Sequence, residues 1–276
     1  GLWIFGWDRL SKKLHLATIW LAAIGTLLSA YFILAANSWM QHPVAYTYNA
    51  AKNRAELTDI IEVLTQKTAV VTFFHTIPSA IFTGGAFIAG ISAWLIIKKK
   101  DVVMARPTLK LGAITMILSF IVISVTGDYT AKIMTEQQPM KMAAAEALYD
   151  TTDSAPFSLF TVGTLDGSRS VFQIDVPSVL SFLATGDFKA TVQGVNDLQA
   201  QYENTYGPGN YTPNIPLAYW SFRLMIGFGA IAFFLALFTL WRTRKGGELP
   251  KGRWFLPSMI ALPFIPLLAI SFGWIF

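Results

Sequence analysis

Five long apolar runs are the feature of this sequence that most restricts its fold. Four of them, Leu14–Ala36, Ala69–Ile97, Leu109–Thr126 and Leu217–Trp241, are expected to span a membrane, and a fifth, Trp254–Phe276, has the length of a span. A helix needs on the order of 20 apolar residues to cross the hydrocarbon layer. Only 13% of the 276 residues are charged, against about 25% in soluble domains. The sequence therefore predicts an all-α, polytopic transmembrane helix bundle.

Thirteen of the 21 lysine and arginine residues collect in three short segments that follow alternate spans. These residues are Arg9, Lys12 and Lys13, then Lys98–Lys100, Arg106 and Lys110, then Arg242, Arg244, Lys245, Lys251 and Arg253. Segments that follow alternate spans lie on one side of the membrane, and the positive-inside rule makes that side cytoplasmic. Because each cluster adjoins a span, topology explains the net positive charge, and nucleic-acid binding is a poor alternative.

The predicted spans divide the chain into three parts. Residues 1–126 hold the end of a first helix and three spans, residues 127–216 form a long extracytoplasmic loop, and residues 217–276 hold two more spans, the last one truncated. Connections between packed helices usually have about 2–8 residues, so a loop of this length with many aromatic residues is expected to be functional. Gly1–Gly6 has the character of the last turns of a span, and the residues from Gly273 onward remain apolar. We therefore expect an internal fragment of a longer protein.

Some segments outside the spans also carry a periodic pattern. An amphipathic stretch at Glu56–Gln66 is expected to lie along the membrane surface, and helices are predicted around Met140–Tyr149 and Pro177–Phe182. The chain has no cysteine, which excludes disulfides, thiolate-ligated haem, iron–sulfur clusters and covalent c-type haem attachment. Any metal or haem must be held by histidine, methionine or carboxylate side chains.

One histidine and one methionine lie at similar depths in two different spans. His75 is about six residues, or roughly 9 Å, inside its run, and Met225 is about eight residues, or roughly 12 Å, inside its own. An imidazole and a thioether facing each other can hold a haem iron from both sides. The alternatives are a histidine hydrogen-bonded between helices and a methionine that only fills space. Glycines and other small residues beside both positions leave room for a flat cofactor or a close helix.

Charged residues near the outer end of the bundle are the other candidates. Arg223 lies inside an apolar run, where a guanidinium costs at least ~2.5–3.5 kcal/mol and needs a partner. It either reaches the nearby interface or neutralises a buried anion such as a haem propionate. Lys141 and Glu146 of the long loop are about 140° apart on a helix and so do not share a face. On their own these charges are more consistent with a solvated surface than with a site.

Several short strings together make this chain resemble subunit I of the cytochrome bd-type quinol oxidases. They are GWDRL at 6–10, ANSWMQHP at 36–43, FHT at 74–76, GD at 127–128, KMAAAE at 141–146, FRLM at 222–225 and GW at 273–274. Each string is common by itself. All of them in this order, with the predicted topology, carry the resemblance over nearly the whole chain.

The resemblance implies a haem and a substrate site. His75 and Met225 would be the axial ligands of a low-spin b haem, with Arg223 close to it. The loop 127–216 would bind quinol, and Lys141 and Glu146 would serve its oxidation. A high-spin haem b and a haem d, where oxygen is reduced, would take ligands from outside this sequence. Asp8 and Asn37 match family positions linked to a cytoplasmic proton path and to the haem region.

The resulting hypothesis is a portion of subunit I of an electrogenic ubiquinol or menaquinol:oxygen oxidoreductase in the bacterial cytoplasmic (inner) membrane. Its expected partners are the lipid bilayer, subunit II and a small single-span subunit. Two alternatives come from other classes. One is a secondary transporter without haem, in which Arg223 binds an anion and the helix break at Pro78 acts as a gate. The other is a b-type cytochrome that only relays electrons.

Overall fold

The structure, a computed structural model, describes residues 1–164, 167–244 and 255–276 and, within the last range, leaves out the side chain of Leu256. Lys245, Lys251 and Arg253 of the third basic segment, and Trp254 at the start of the fifth apolar run, lie outside the described residues. The chain divides into two compact units, residues 1–77 and residues 78–276.

The first unit is built on one long helix. Its elements are α1 (Leu2–Phe5), α2 (Lys12–Gln41), β1 (Tyr46–Asn49), β2 (Arg54–Leu57), α3 (Ile60–Thr65) and the first part of α4 (Lys67–Ile97). The Ser11 side chain accepts a hydrogen bond from the Leu14 amide and caps α2. Asp59 caps α3 in the same way, and α3 occupies the later part of the amphipathic stretch Glu56–Gln66. The residues before Asp59 pair as the antiparallel hairpin β1–β2.

The second unit contains the remainder of α4 and all later elements. These are α5 (Val102–Gln137), α6 (Pro139–Glu146), β3 (Thr152–Asp153), β4 (Phe157–Gly163), β5 (Ser170–Val176), α7 (Val179–Thr185), β6 (Thr191–Val192), α8 (Val195–Tyr206), α9 (Ile215–Thr243), α10 (Phe255–Ala261) and α11 (Phe264–Ile275). Strand β4 pairs with β5 and strand β3 with β6, both antiparallel. The helices predicted around Met140–Tyr149 and Pro177–Phe182 are confirmed by α6 and α7.

Five helices among the described residues are long and apolar enough to cross a membrane: α2, α4, α5, α9 and residues 257–275. The prediction of a polytopic helical bundle is therefore confirmed. Helix α5 runs on to Gln137, past the end of its apolar run at Thr126. Within the last of these spans, α10 and α11 meet at Leu262 and Pro263.

Small residues let the helices of the second unit approach closely. The buried core joins α4, α5, α9 and α10 through Ala86, Ala89, Ala93, Ala113, Ala232 and Ala236, with Leu109, Met116, Met259 and Leu262 between them. The closest approach is at Gly112 of α5, where an added Cβ would lie 2.7 Å from the Gly85 carbonyl oxygen and 2.8 Å from the Ala89 amide nitrogen. Helix association in lipid depends on such contacts, since lipid tails are as apolar as the helix surfaces.

Replacing Gly112 by alanine is expected to destabilise the protein, because both nearest atoms belong to the backbone of α4 and cannot rotate away. Overpacking of this kind typically costs about 1–3 kcal/mol. The matched control is Gly25→Ala in α2, where an added Cβ meets no atom within 4 Å. Thermal unfolding of the two purified variants measures the difference. Equal midpoints would show that α4 and α5 are not in this close contact.

The segment between α5 and α9 is an ordered α+β layer that folds onto the end of the bundle in the second unit. Helix α6 packs on α8 and on the start of α9 through Met140, Ala143 and Ala144. Helix α7 packs against α5 and the β3–β6 pair around Leu180 and Val192. The hairpin β4–β5 and the pair β3–β6 were not foreseen from the sequence. This layer positions the site.

Candidate functional site

The centre of the site is a buried ion pair between α6 and α9. Arg223 Nη2 lies 2.6 Å from Glu146 Oε2, and Nη1 lies 3.3 Å from Oε1, so the two side chains meet in a two-pronged contact. The side chains are only 10% and 2% exposed. Charge-assisted pairs of this geometry are strong when both groups are withdrawn from water. The anion that Arg223 was expected to need is thus a carboxylate of the same chain.

Local sequence explains why the two residues meet. Glu146 is the last residue of α6, and Ala147 then takes a left-handed conformation (φ 50°) that ends the helix. The small side chains of Ala143 and Ala144 let α6 pack closely on the start of α9. Arg223 lies in the first part of α9, and α6 packs on this end of the helix. The Arg223 guanidinium therefore contacts the Glu146 carboxylate at this end of the bundle.

A single residue of strand β4 holds both partners of the ion pair. The Ser158 carbonyl oxygen accepts a hydrogen bond from Arg223 Nε at 2.8 Å, and the Ser158 amide donates one to the Glu146 carboxylate. The Ser158 hydroxyl is in turn bonded to Tyr219 Oη at 2.9 Å and to the Thr161 hydroxyl. All three hydroxyl-bearing side chains are buried and have partners. This network fixes β4 over the charged pair.

Aromatic rings surround the guanidinium. The Arg223 Cζ atom lies 4.5 Å from the ring centre of Phe157, 4.7 Å from that of Tyr219 and 5.3 Å from that of Phe222. The rings exclude water and also attract the cation through their faces. The ion pair consequently sits in an environment of low dielectric constant, where the charge state of each partner strongly affects the other.

Burial controls the protonation of Glu146. Removal from water raises the pKa of Glu146 to about 7, although Arg223 and the Ser158 amide both act to lower it. The carboxylate of Asp175, which lies opposite Ser158 in the β4–β5 register, raises it further by like-charge repulsion. A carboxyl group with a pKa near neutrality can both accept and release a proton at physiological pH.

Lys141 lies close to the aromatic rings around Arg223. Its ammonium lies 4.4 Å from the ring centre of Phe276, and the Phe276 ring lies 4.9 Å from that of Phe222, which in turn lies beside Arg223. Burial lowers the pKa of Lys141. The segment is helical, so Lys141 and Glu146 point to different sides of α6, as the sequence indicated. Successive contacts link Lys141 to Glu146 through Phe276, Phe222 and Arg223.

The two residues predicted to be haem ligands belong to different compact units and are described separately. Met225 lies half-buried in α9, and its Sδ atom is 3.0 Å from the point that a Cβ on Gly273 of α11 would occupy. Gly227, one residue beyond Ile226, has no atom within 4 Å of its own added Cβ. His75 lies half-buried in α4, just before Pro78. Their joint ligation of a haem stays a prediction.

Sequence reasoning missed three residues of this site. Ser158 and Asp175 lie on strands that the apolar pattern did not reveal. Tyr219 could have been found, because it precedes Arg223 by one helical turn and residues so spaced on a helix are neighbours. Asp8 and Asn37 lie in the first unit, where the Asn37 Oδ1 atom accepts a hydrogen bond from Gln41. Their predicted links to protons and haem stay predictions.

These features define a polytopic helical membrane protein with an ionisable site where a folded layer covers the end of the bundle. Comparison with known proteins agrees with that class. The chain belongs to the family of cytochrome bd terminal oxidase subunit I, whose model matches residues 1–276.

Individual members of the family resemble this chain over nearly its whole length. The chain is 42% identical to cytochrome bd ubiquinol oxidase subunit 1 of Bacillus subtilis, with 100% of this chain and 58% of the relative covered. It is 29% identical to cytochrome bd-II ubiquinol oxidase subunit 1 of Escherichia coli, with 99% and 64% covered. The solved bd oxidase of Geobacillus thermodenitrificans superposes with a TM-score of 0.86 at 25% identity, with 99% of this chain and 61% of that chain covered. The chain thus spans less than two thirds of the length of these relatives.

Proposed function

We propose that this chain is part of subunit I of a quinol:oxygen oxidoreductase and that the layer between α5 and α9 oxidises quinol. The observation that carries the proposal is the buried Glu146–Arg223 pair, with its contact of 2.6 Å and its carboxyl pKa near 7. Membership of the family and the likeness to proteins named ubiquinol oxidase subunits support the reaction class.

In this proposal Glu146 accepts a proton from a quinol hydroxyl. A base works best when its pKa lies near the operating pH, and burial brings Glu146 there. When Glu146 becomes neutral, Arg223 loses its counter-charge and remains as a fixed positive charge at the end of α9. Lys141, whose pKa is lowered by burial, offers a hydrogen-bond donor on the other side of the Phe276 and Phe222 rings.

The proposal includes a low-spin b haem that His75 and Met225 would hold. Both are half-buried donors on membrane-spanning helices, and among the described residues no atom of another element lies within 4 Å of a Cβ added at Gly227 of α9. Such a haem, when bound, carries one electron at a time. Arg223, two residues before Met225, would place its positive charge on the same stretch of α9.

The proposed setting is the bacterial cytoplasmic (inner) membrane, with the quinol-oxidising layer on the extracytoplasmic side. Among the described residues, Lys98–Lys100 follow α4, and Arg242 and Arg244 lie at the end of α9 opposite Arg223. The distance along α9 from Arg223 to Arg242 corresponds to roughly 28 Å at 1.5 Å per residue, close to the thickness of the hydrocarbon layer. The positive-inside rule then places the basic ends in the cytoplasm. Expected partners are subunit II and a small single-span subunit.

The pH dependence of quinol oxidation tests the role of Glu146. Only the ionised carboxylate accepts a proton, so the rate is expected to rise as the pH increases through about 7. Glu146→Gln is expected to lower quinol-driven oxygen consumption by the full complex by about 10²–10⁴-fold and to remove that rise. The control is Glu203→Gln on the exposed face of α8, which should keep both the rate and the profile.

A Glu146→Gln enzyme with the parent rate and pH profile would contradict this role. A parent complex that consumes no oxygen with quinol would contradict the proposed reaction, and it would leave a relay cytochrome or a transporter as the remaining classes. Substrate uptake by the reconstituted complex without any redox activity would select the transporter.

A further inference from the structure

Strand β4 of the hairpin β4–β5 buries its polar side chains and exposes its apolar ones, which is the reverse of a strand that meets water. Thr161 of β4 points inward, is buried and bonds to the inward-facing Ser158. Its neighbours on the opposite face, Phe160 and Val162, are exposed and pair across the ladder with Ile174 and Phe172. Strands alternate faces with a period of two residues, so an antiparallel hairpin in water normally turns its apolar side to the core and its polar side outward.

The outward face is apolar and uncharged throughout. Its four side chains, Phe160, Val162, Phe172 and Ile174, are 40–54% exposed. Among the described residues of the two strands the only charged side chain is Asp175, which pairs with Ser158 and acts on the buried Glu146 from there. Contiguous apolar surface of this kind is rare where a protein meets water and marks a binding surface.

This face is continuous with the membrane-facing surface of α9. The Phe160 ring lies 5.3 Å from the ring of Trp220, in an edge-to-face contact. Trp220 and the neighbouring Leu217 are themselves exposed, at the end of α9 where the span begins. Tryptophan prefers this depth, where one part of the ring is apolar and another is hydrated. The same surface therefore runs without interruption from the span to the hairpin.

Hydrogen bonding limits how deep the hairpin can lie. Within the described residues β4 and β5 form a two-stranded sheet, so the outer edge of each strand carries backbone groups outside the ladder. Such edges are excluded from the hydrocarbon core, where no water satisfies them. At the boundary between headgroups and acyl chains, water and headgroups can satisfy the edges while the apolar face meets the lipid tails.

We propose that the face formed by Phe160, Val162, Phe172 and Ile174 rests on lipid at the headgroup–acyl boundary. The hairpin then anchors the layer that carries Ser158 to the membrane surface. Lipid is favoured over a protein partner because the face is a lateral extension of a membrane span and offers no charge for a specific contact. This inference does not depend on the quinol reaction.

Single-cysteine spin labelling tests the proposal directly, since the chain has no cysteine of its own. Val162→Cys and Phe172→Cys are made in the full complex, labelled with a nitroxide and reconstituted in phosphatidylcholine–phosphatidylglycerol nanodiscs, with the unsubstituted complex as the background. Both positions are exposed, so the substitutions should not disturb the core. Power saturation then compares collisions with oxygen, which concentrates in lipid, and with a water-soluble nickel chelate.

The expected result is a shift of both labels towards oxygen relative to Asn204→Cys, an exposed polar position on α8. Labels at Val162 and Phe172 that collide mainly with the nickel chelate would place the face in water and overturn the proposal. Labels protected from both reagents would place the face under a protein partner and also overturn it. Because this readout uses no substrate, it is separate from any failure of the quinol reaction.

Discussion

Replacing Met225 by leucine is expected to abolish the absorption of the low-spin b haem in the reduced-minus-oxidised spectrum of the full complex. Leucine has nearly the volume of methionine and lacks the sulfur that would ligate the iron, so the fold should persist while the ligand is lost. The Met225 Sδ atom faces Gly273 of α11, 3.0 Å from the point that an added Cβ would occupy there. His75→Ala is expected to give the same selective loss.

The control for this prediction is Met116→Leu. Met116 is buried in the α4–α5–α9–α10 core and has no predicted role in haem binding. Its substitution should leave the spectrum unchanged and cost less than about 1.5 kcal/mol in stability. A Met225→Leu complex with an unchanged low-spin signal would remove Met225 from the haem site. Loss of the signal in Met116→Leu as well would mean that the spectrum reports general unfolding.

A large loss of stability is expected from Arg223→Met. This substitution leaves Glu146 buried with the Ser158 amide as its remaining partner among the described contacts. Removing one partner of a buried ion pair typically lowers the free energy of unfolding by about 3–5 kcal/mol, because the other charge stays buried without compensation. Arg223→Met combined with Glu146→Gln removes both charges and should recover much of the loss. A double-mutant cycle on thermal unfolding measures the coupling.

The pH dependence of this loss has a definite sign. Without Arg223, burial keeps the pKa of Glu146 above its unfolded value of 4.5, so the folded state binds the proton more tightly than the unfolded state. Stability must then fall as the pH rises from that value towards neutrality and beyond. The Arg223→Met variant should therefore be least stable at high pH and recover partly in acid. A loss that is independent of pH would show that the ion pair is not its source.

Lys132→Met is the matched control for the ion pair. Lys132 Nζ lies 2.7 Å from Asp128 Oδ2, but these side chains are 29% and 33% exposed. Exposed pairs one helical turn apart contribute about 0–1 kcal/mol, because water screens them. A comparable loss for Lys132→Met and Arg223→Met would mean that burial does not set the strength of the Arg223–Glu146 contact.

The spans could be predicted from the sequence because a long apolar run has only one favourable environment. The run Leu217–Trp241 became α9 with its ends displaced by two residues, from Ile215 to Thr243. The last run was predicted as one span, and residues 257–275 do form one candidate span, with α10 and α11 meeting at Leu262 and Pro263. Strand β4 was missed because Phe157–Gly163 is short and mixes apolar and hydroxyl residues, and periodicity alone does not assign such a segment.

The sequence by itself determined the membrane-spanning helices and the need of Arg223 for an anionic partner, since hydrophobicity and the cost of a buried charge are local properties of the chain. The family resemblance, and not the pattern of the residues, singled out Glu146. Only the tertiary structure decided that these two residues pair, that Ser158 holds both of them, and that burial brings the pKa of Glu146 to about 7. Desolvation depends on which atoms surround a group, and the surrounding atoms come from segments far apart in the sequence.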